Sequence, residues 1–113
     1  MARHKRFLHG QLKIIKIIMP IVSSDMVLEV GCGFGALISL LKEIVIRKIA
    51  AIELDPDAAD FVSQSQDMEV SVCEVDRYPV QSRYDDIFAL EVLENFNNPI
   101  PALAKMHHLL KDR

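Results

Sequence analysis

The chain has 113 residues, 50% apolar and 26% charged, which suits one domain with a modest core and excludes disorder, a collagen-like repeat or a disulfide scaffold. Its formal net charge of −3 is unevenly spread: residues 1–16 hold five basic residues and no acid, and the remainder sets eight basic residues against sixteen acidic ones. An acidic body argues against nucleic acid as a partner, because phosphate contacts need a basic face.

Residues 1–20 are expected to form a basic helical segment at the start of a single domain spanning 1–113. Leu12, Ile15, Ile18 and Met19 share one face, Lys13 and Lys16 lie off it, and Pro20 stops the run. That stretch is too short and too charged to span a membrane, and it has no signal-peptide cleavage pattern. Met26 to Val30 then reads as a short apolar strand running straight into Gly31, Gly33 and Gly35, three of only four glycines in the chain. Glycine concentrated at one turn marks a place where backbone must come close to something.

Ala36 to about Ile44 is predicted as a helix burying Leu37, Leu40, Leu41 and Ile44, and Ile49 to Leu54 as a strand covered on both faces. Asp55-Pro56 supplies an N-cap and a first-turn proline for a helix reaching about Val62. Met68 to Cys73 reads as a third strand and Asp85 to Leu90 as a fourth. Asn98-Pro99 opens a last helix with Leu103, Met106 and Leu110 on its buried face, and His107 and His108 late on it suit the helix dipole. Strands alternate with helices, so the fold class is α/β: an open parallel sheet with right-handed crossovers.

Cys32 and Cys73 fall at the ends of strands separated by another strand, too far apart to bridge, and two free thiols fit a reducing cytoplasm. No Cys/His spacing suggests a metal site. The segment Gly31-x-Gly33-x-x-Ala36 satisfies the dinucleotide fingerprint, and Glu53 stands where an acid takes ribose hydroxyls. Glycine spacing alone therefore leaves a nicotinamide cofactor and another adenosine ligand both open, beside a tight turn with no ligand.

Four ordered segments go further. They are Glu29-x-Gly31-x-Gly33-x-Gly35; Ile49 to Pro56 with its acid at Glu53; Cys73-Glu74-Val75-Asp76-Arg77-Tyr78-Pro79; and Tyr84 to Asn95 followed by Asn98-Pro99. Together they resemble class I S-adenosylmethionine-dependent methyltransferases of the small-molecule type, over roughly residues 10–112.

The resemblance implies a Rossmann-like sheet of strand order 3-2-1-4 with helices on both faces, whose strand ends line one crevice for S-adenosyl-L-methionine. It implies that Glu29 helps hold the methionine ammonium, that Gly31, Cys32, Gly33 and Gly35 give backbone access, and that Glu53 accepts the ribose hydroxyls beside Leu54. Glu74, or failing it Asp76, would read the adenine edge with the Val75 backbone, and Leu90 ends the fourth strand. It identifies no general base and no metal.

Three departures stand out. Glu94-Asn95 replaces the family's common Glu-His, Glu74 replaces the commoner aspartate, and the sequence ends at Lys111-Asp112-Arg113, before the remaining strands of a seven-stranded fold. The expectation is a methyltransferase truncated after strand four and its helix, acting on a small-molecule acceptor, with a homodimer or partner chain covering the strand-four edge. The competing expectations are an NAD(P)-dependent oxidoreductase domain and a non-catalytic, truncated cofactor-binding or partner subunit.

Overall fold

A computed structural model of the chain describes residues 25–43, 48–89 and 97–111. The helical segment expected over 1–20 lies outside them. Four parallel strands form one sheet: β1 (Met26–Val30), β2 (Lys48–Ile52), β3 (Val70–Ser71) and β4 (Asp86–Phe88), in spatial order β3-β2-β1-β4. Among the described residues the helices are α1 (Ala36–Leu41), α2 (Pro56–Ser65) and α3 (Ile100–Leu109), with a 3-10 turn at Val75–Arg77.

β1 is central because it can be buried on both sides. Val27 packs with Leu37 and Leu41 of α1, while Leu28 and Val30 point the other way, into a cluster with Ala102, Met106 and Leu109 of α3. Ala51 on β2 joins Ile38 of α1 and Val62 of α2. This is the two-residue alternation of a strand used twice, with helices covering both faces. Asp55 caps α2 as the sequence implies, its side chain accepting from the Asp57 N–H at 3.0 Å, with Pro56 in the first turn.

Several boundaries differ from the sequence reading, for identifiable reasons. α1 ends at Leu41, and its buried residues are Leu37, Ile38 and Leu41, with Leu40 only half-buried; Ile44 lies outside the described residues. α2 continues to Ser65, through the polar residues expected to end it. β2 stops at Ile52, so Glu53 and Leu54 belong to the loop. β3 keeps only Val70 and Ser71: the Met68 N–H bonds back to Ser63 O at the end of α2, and beyond Ile52 only the Glu53 N–H donates to the Ser71 carbonyl, at 2.9 Å. β4 is Asp86–Phe88, and Leu90 lies outside the described residues. The buried face of α3 is Ala102, Met106 and Leu109, not Leu103, which is exposed.

The β4 edge is not wholly bare. After α3 the chain returns beside the start of β4 and makes a parallel bridge, Tyr84 to Leu110. The Tyr84 N–H donates to the Leu109 carbonyl at 2.8 Å, and the Lys111 N–H to the Tyr84 carbonyl at 2.9 Å. Asp85 faces the opposite way: its N–H donates to Met26 O, its carboxylate accepts from the Met26 N–H at 2.8 Å, and it pairs with Lys111 at 3.2 Å. The first residues of β1, β4 and the returning segment are thus tied together at the sheet's amino-terminal end, opposite the glycine turn.

Candidate functional site

The carboxyl ends of β1 and β2 meet at the glycine turn. Gly31, Gly33 and Gly35 all adopt positive φ, at 78°, 55° and 87°, which L side chains enter only at a cost of about 1–2 kcal/mol. Their reasons for being glycine differ. A β-carbon on Gly35 would lie 3.0 Å from Val62 Cγ2 on α2, whereas one on Gly33 would meet nothing within 4 Å. Gly35 is therefore crowded by helix packing, and Gly33 opens onto free space.

Gly35→Ala should lower stability by about 1–2 kcal/mol through its backbone conformation alone, with the crowded Val62 adding to it. A urea titration of Gly35→Ala against the double variant with Val62→Ala separates the two. Relief of the crowding should show as coupling between the substitutions, and strict additivity would rule the contact out as a cause.

Four of the five backbone donors of the turn, residues 31–35, are spent inside the protein. The Gly31 and Cys32 N–H groups donate to Ile52 O at 2.8 and 3.3 Å, and the Gly35 N–H to Cys32 O at 3.0 Å. The Gly33 N–H donates to Glu53 Oε1 at 2.7 Å, while the other carboxylate oxygen, Oε2, accepts from the Asp55 N–H at 2.9 Å. Glu53 thereby fixes the glycine turn and the entry to α2 at once. A carboxylate accepts about four hydrogen bonds, so each oxygen retains capacity for a ligand hydroxyl.

Glu29 is the one buried charged residue among those described, 4% exposed on the central strand, with Ala51 and Phe88 as its register neighbours on either side. Its Oε1 has no hydrogen-bond partner among the described residues. Burial, and secondarily the negative charge of Glu53, push its carboxyl up to about 8. Burial and the same two carboxyl groups push the neighbouring Cys32 thiol up to about 12. Cys32 is an inert core thiol packed with Ile38, Ala51 and Val62, so its side chain is not available to a ligand. Cys73 is also a free thiol.

The remaining expected residues divide. Leu54 is exposed in the loop after β2. Glu74 is exposed immediately before the 3-10 turn, its carbonyl accepting from the Arg77 N–H, and the Val75 side chain is buried against the α3 side of the sheet. The structure thus brings Glu29, the glycine turn and Glu53 together. It leaves Glu74 free at the end of the neighbouring strand, while Leu90 lies outside the described residues. Two features had no clear signal in the sequence: the double use of Glu53 by backbone donors, and an edge-to-face pair of exposed aromatics, Phe34 in the turn and Phe61 on α2, with centroids 5.5 Å apart.

The chemistry of this corner is cation-seeking. Two carboxyl groups face it, neither forms an ion pair among the described residues, and four turn N–H groups that would otherwise meet an anion are already engaged. A pyrophosphate would meet the negative charge of Glu53 there, whereas an ammonium group would find an unsatisfied buried acceptor. The residues present fit a cationic adenosine ligand better than a dinucleotide.

Comparison with known proteins agrees. A model of the methyltransferase domain family matches residues 3–113. No curated protein sequence matches significantly. Among solved structures, Streptomyces venezuelae DesVI superposes with a TM-score of 0.79 at 14% identity, over 96% of this chain and 48% of its own. CalS10, an amino pentose methyltransferase from Micromonospora echinaspora solved with bound SAM, gives 0.78 at 16%, over 97% and 50%. The mycolic acid cyclopropane synthase CmaA1, complexed with SAH, gives 0.77 at 20%, over 91% and 40%. The chain therefore spans half the length of these proteins or less. With its family match across nearly every residue and its 3-2-1-4 parallel sheet, the chain belongs to the methyltransferase domain family.

Proposed function

We propose that residues 1–113 form a cofactor-binding domain that takes S-adenosyl-L-methionine in the crevice at the ends of β1 and β2 and serves methyl transfer to a small-molecule acceptor. The observation that carries this reading is the buried, unpartnered Glu29 oxygen beside the glycine turn. In this reading Glu29 holds the methionine ammonium. Gly31 and Gly33 let the ligand lie against backbone, Gly35 seats the turn against Val62 of α2, and Cys32 contributes only its main chain. Glu53 accepts the ribose hydroxyls on the lone pairs that Gly33 and Asp55 leave free, Leu54 covers the sugar, and Glu74 with the Val75 backbone meets the adenine edge. The cofactor supplies an already activated methyl on its sulfonium, so these residues bind, orient and shield rather than perform acid–base work.

The structures with bound SAM or SAH at the same fold support the cofactor, and the aminosugar and natural-product acceptors of such relatives support a small molecule. No helix among the described residues is long and apolar enough to cross a membrane, and the two free thiols suit a reducing cytoplasm. The dinucleotide alternative is disfavoured by the buried Glu29 oxygen, which a dinucleotide pyrophosphate would leave without a donor.

Calorimetric titration of the full chain with S-adenosylhomocysteine and, separately, with NAD and NADP tests both readings. Homocysteine-adenosine binding should be tighter by at least about 100-fold, or about 2.7 kcal/mol. A folded sample that prefers either dinucleotide, or binds none of the three, would overturn the proposal.

A further inference from the structure

The groups that face Glu29 are few. From the turn comes the Cys32 thiol, and from the end of β2 the Glu53 carboxylate, itself held by the Gly33 and Asp55 N–H groups. β2 and β4 contribute Ala51 and Phe88 as register neighbours, and the buried residues of α1 and α2 on this face are Leu37, Ile38, Leu41, Ala58, Ala59 and Val62. No described lysine, arginine or histidine pairs with Glu29. An ionised carboxylate in that setting would be stripped of water, beside a second negative charge, with an oxygen lacking any donor. The neutral carboxylic acid is the resting form.

We infer that occupancy of this crevice by a ligand ammonium expels the Glu29 proton, so that cofactor binding is coupled to proton release. The inference rests on the cofactor reading given above. On binding, the Glu29 O–H bond breaks, its proton passes to the buffer, and the ligand keeps its charge as R–NH3+ against the new carboxylate. An arriving cation reverses both penalties that keep the acid neutral: it replaces the missing donor and offsets the Glu53 charge. A carboxyl near pH 8 is about nine-tenths protonated at pH 7, which leaves close to one proton to release.

The test is calorimetry of the full chain with S-adenosylhomocysteine at pH 7, in phosphate and in Tris, whose ionisation enthalpies differ widely. The buffer dependence should give about one proton released per ligand, and affinity should rise by close to tenfold per pH unit between pH 6 and 7. Adenosine, which has no ammonium, should bind with buffer-independent heat. Glu29→Gln should bind S-adenosylhomocysteine more weakly, with buffer-independent heat and a flat pH profile, while its urea unfolding transition verifies that it folds.

Binding of S-adenosylhomocysteine to the unaltered chain with no buffer dependence overturns the inference and leaves the cofactor reading standing. Proton release that persists in Glu29→Gln assigns the proton to another group and also overturns it. No binding to the folded, unaltered chain overturns both.

Discussion

Glu29→Gln should flatten the dependence of stability on pH, removing a loss of about 3 kcal/mol that the unaltered chain suffers between pH 4.5 and 7. The carboxyl titrates near 4.5 when exposed and near 8 in the folded chain. Between those values the unfolded chain has released a proton that the folded chain still holds, so raising the pH favours unfolding. Each pH unit in that window costs about 1.4 kcal/mol. The penalty is absent below pH 4.5 and complete above pH 8. Glutamine has the shape of the neutral acid and does not titrate.

The added carboxamide N–H groups shift the variant's curve up or down by a constant, because their hydrogen bonding does not depend on pH. The comparison is therefore between slopes rather than between single values. Urea midpoints for both proteins, measured from pH 4.5 to 8, supply it. Parallel curves would show that Glu29 is ionised in the folded chain and that the buried oxygen has found a donor.

A buried acid that weakens the fold at neutral pH needs a reason to be there, and packing offers none. Its register neighbours Ala51 and Phe88 are apolar, and an apolar residue at 29 would satisfy all three strands. A site that needs an unsatisfied acceptor tolerates such a cost, and a bound cation would return it as affinity. The same logic separates the glycines. Gly35 answers to Val62 and would be required in a protein with no ligand, whereas the space beyond Gly33 is filled by nothing described in the chain.

The sequence made the topology legible because its signals are local and redundant. The apolar run of β1 enters the glycine turn, and Asp55-Pro56 starts a helix by capping chemistry that neighbours alone decide. What it obscured depended on partners distant along the chain. β3 looks like a six-residue strand by its apolar content, yet it begins late because the Met68 N–H bonds back to Ser63 O of α2, and it ends where β2 ends. There the backbone leaves the ladder at Glu53, whose side chain binds the Gly33 and Asp55 N–H groups.

The buried face of α3 is Ala102, Met106 and Leu109 where the spacing predicts Leu103, Met106 and Leu110, for a related reason. Leu103 outweighs Ala102 in any periodicity count, but the small alanine lets the helix approach the sheet beside Leu28 and Val30. The returning segment at Leu110 is recorded in tertiary pairing with Tyr84 and leaves no periodic trace. At the site, Glu29 and Glu53 could be named from spacing, but not the burial of one or the double engagement of the other.

That double engagement makes Glu53→Ala the most damaging single change expected for cofactor binding, weakening S-adenosylhomocysteine by about 2–4 kcal/mol, or roughly 30- to 1,000-fold. Two effects act together. In the proposed site the ribose would lose a charged acceptor, and the Gly33 and Asp55 N–H groups, held at 2.7 and 2.9 Å, lose the group that sets the turn against α2. Glu53→Gln separates them, because its one carbonyl oxygen can accept from Gly33 or Asp55 but its NH2 group cannot accept from the other. It should bind between the parent and the alanine variant. Stability should fall only modestly in both, since the Asp55 donor is exposed and the Gly33 donor partly so, and water can take the place of the carboxylate. Calorimetry for affinity and urea unfolding for stability therefore give a split readout. A large loss of affinity with a small loss of stability marks Glu53 as an organiser of the site, whereas equal losses would make it a structural staple whose effect on binding is indirect.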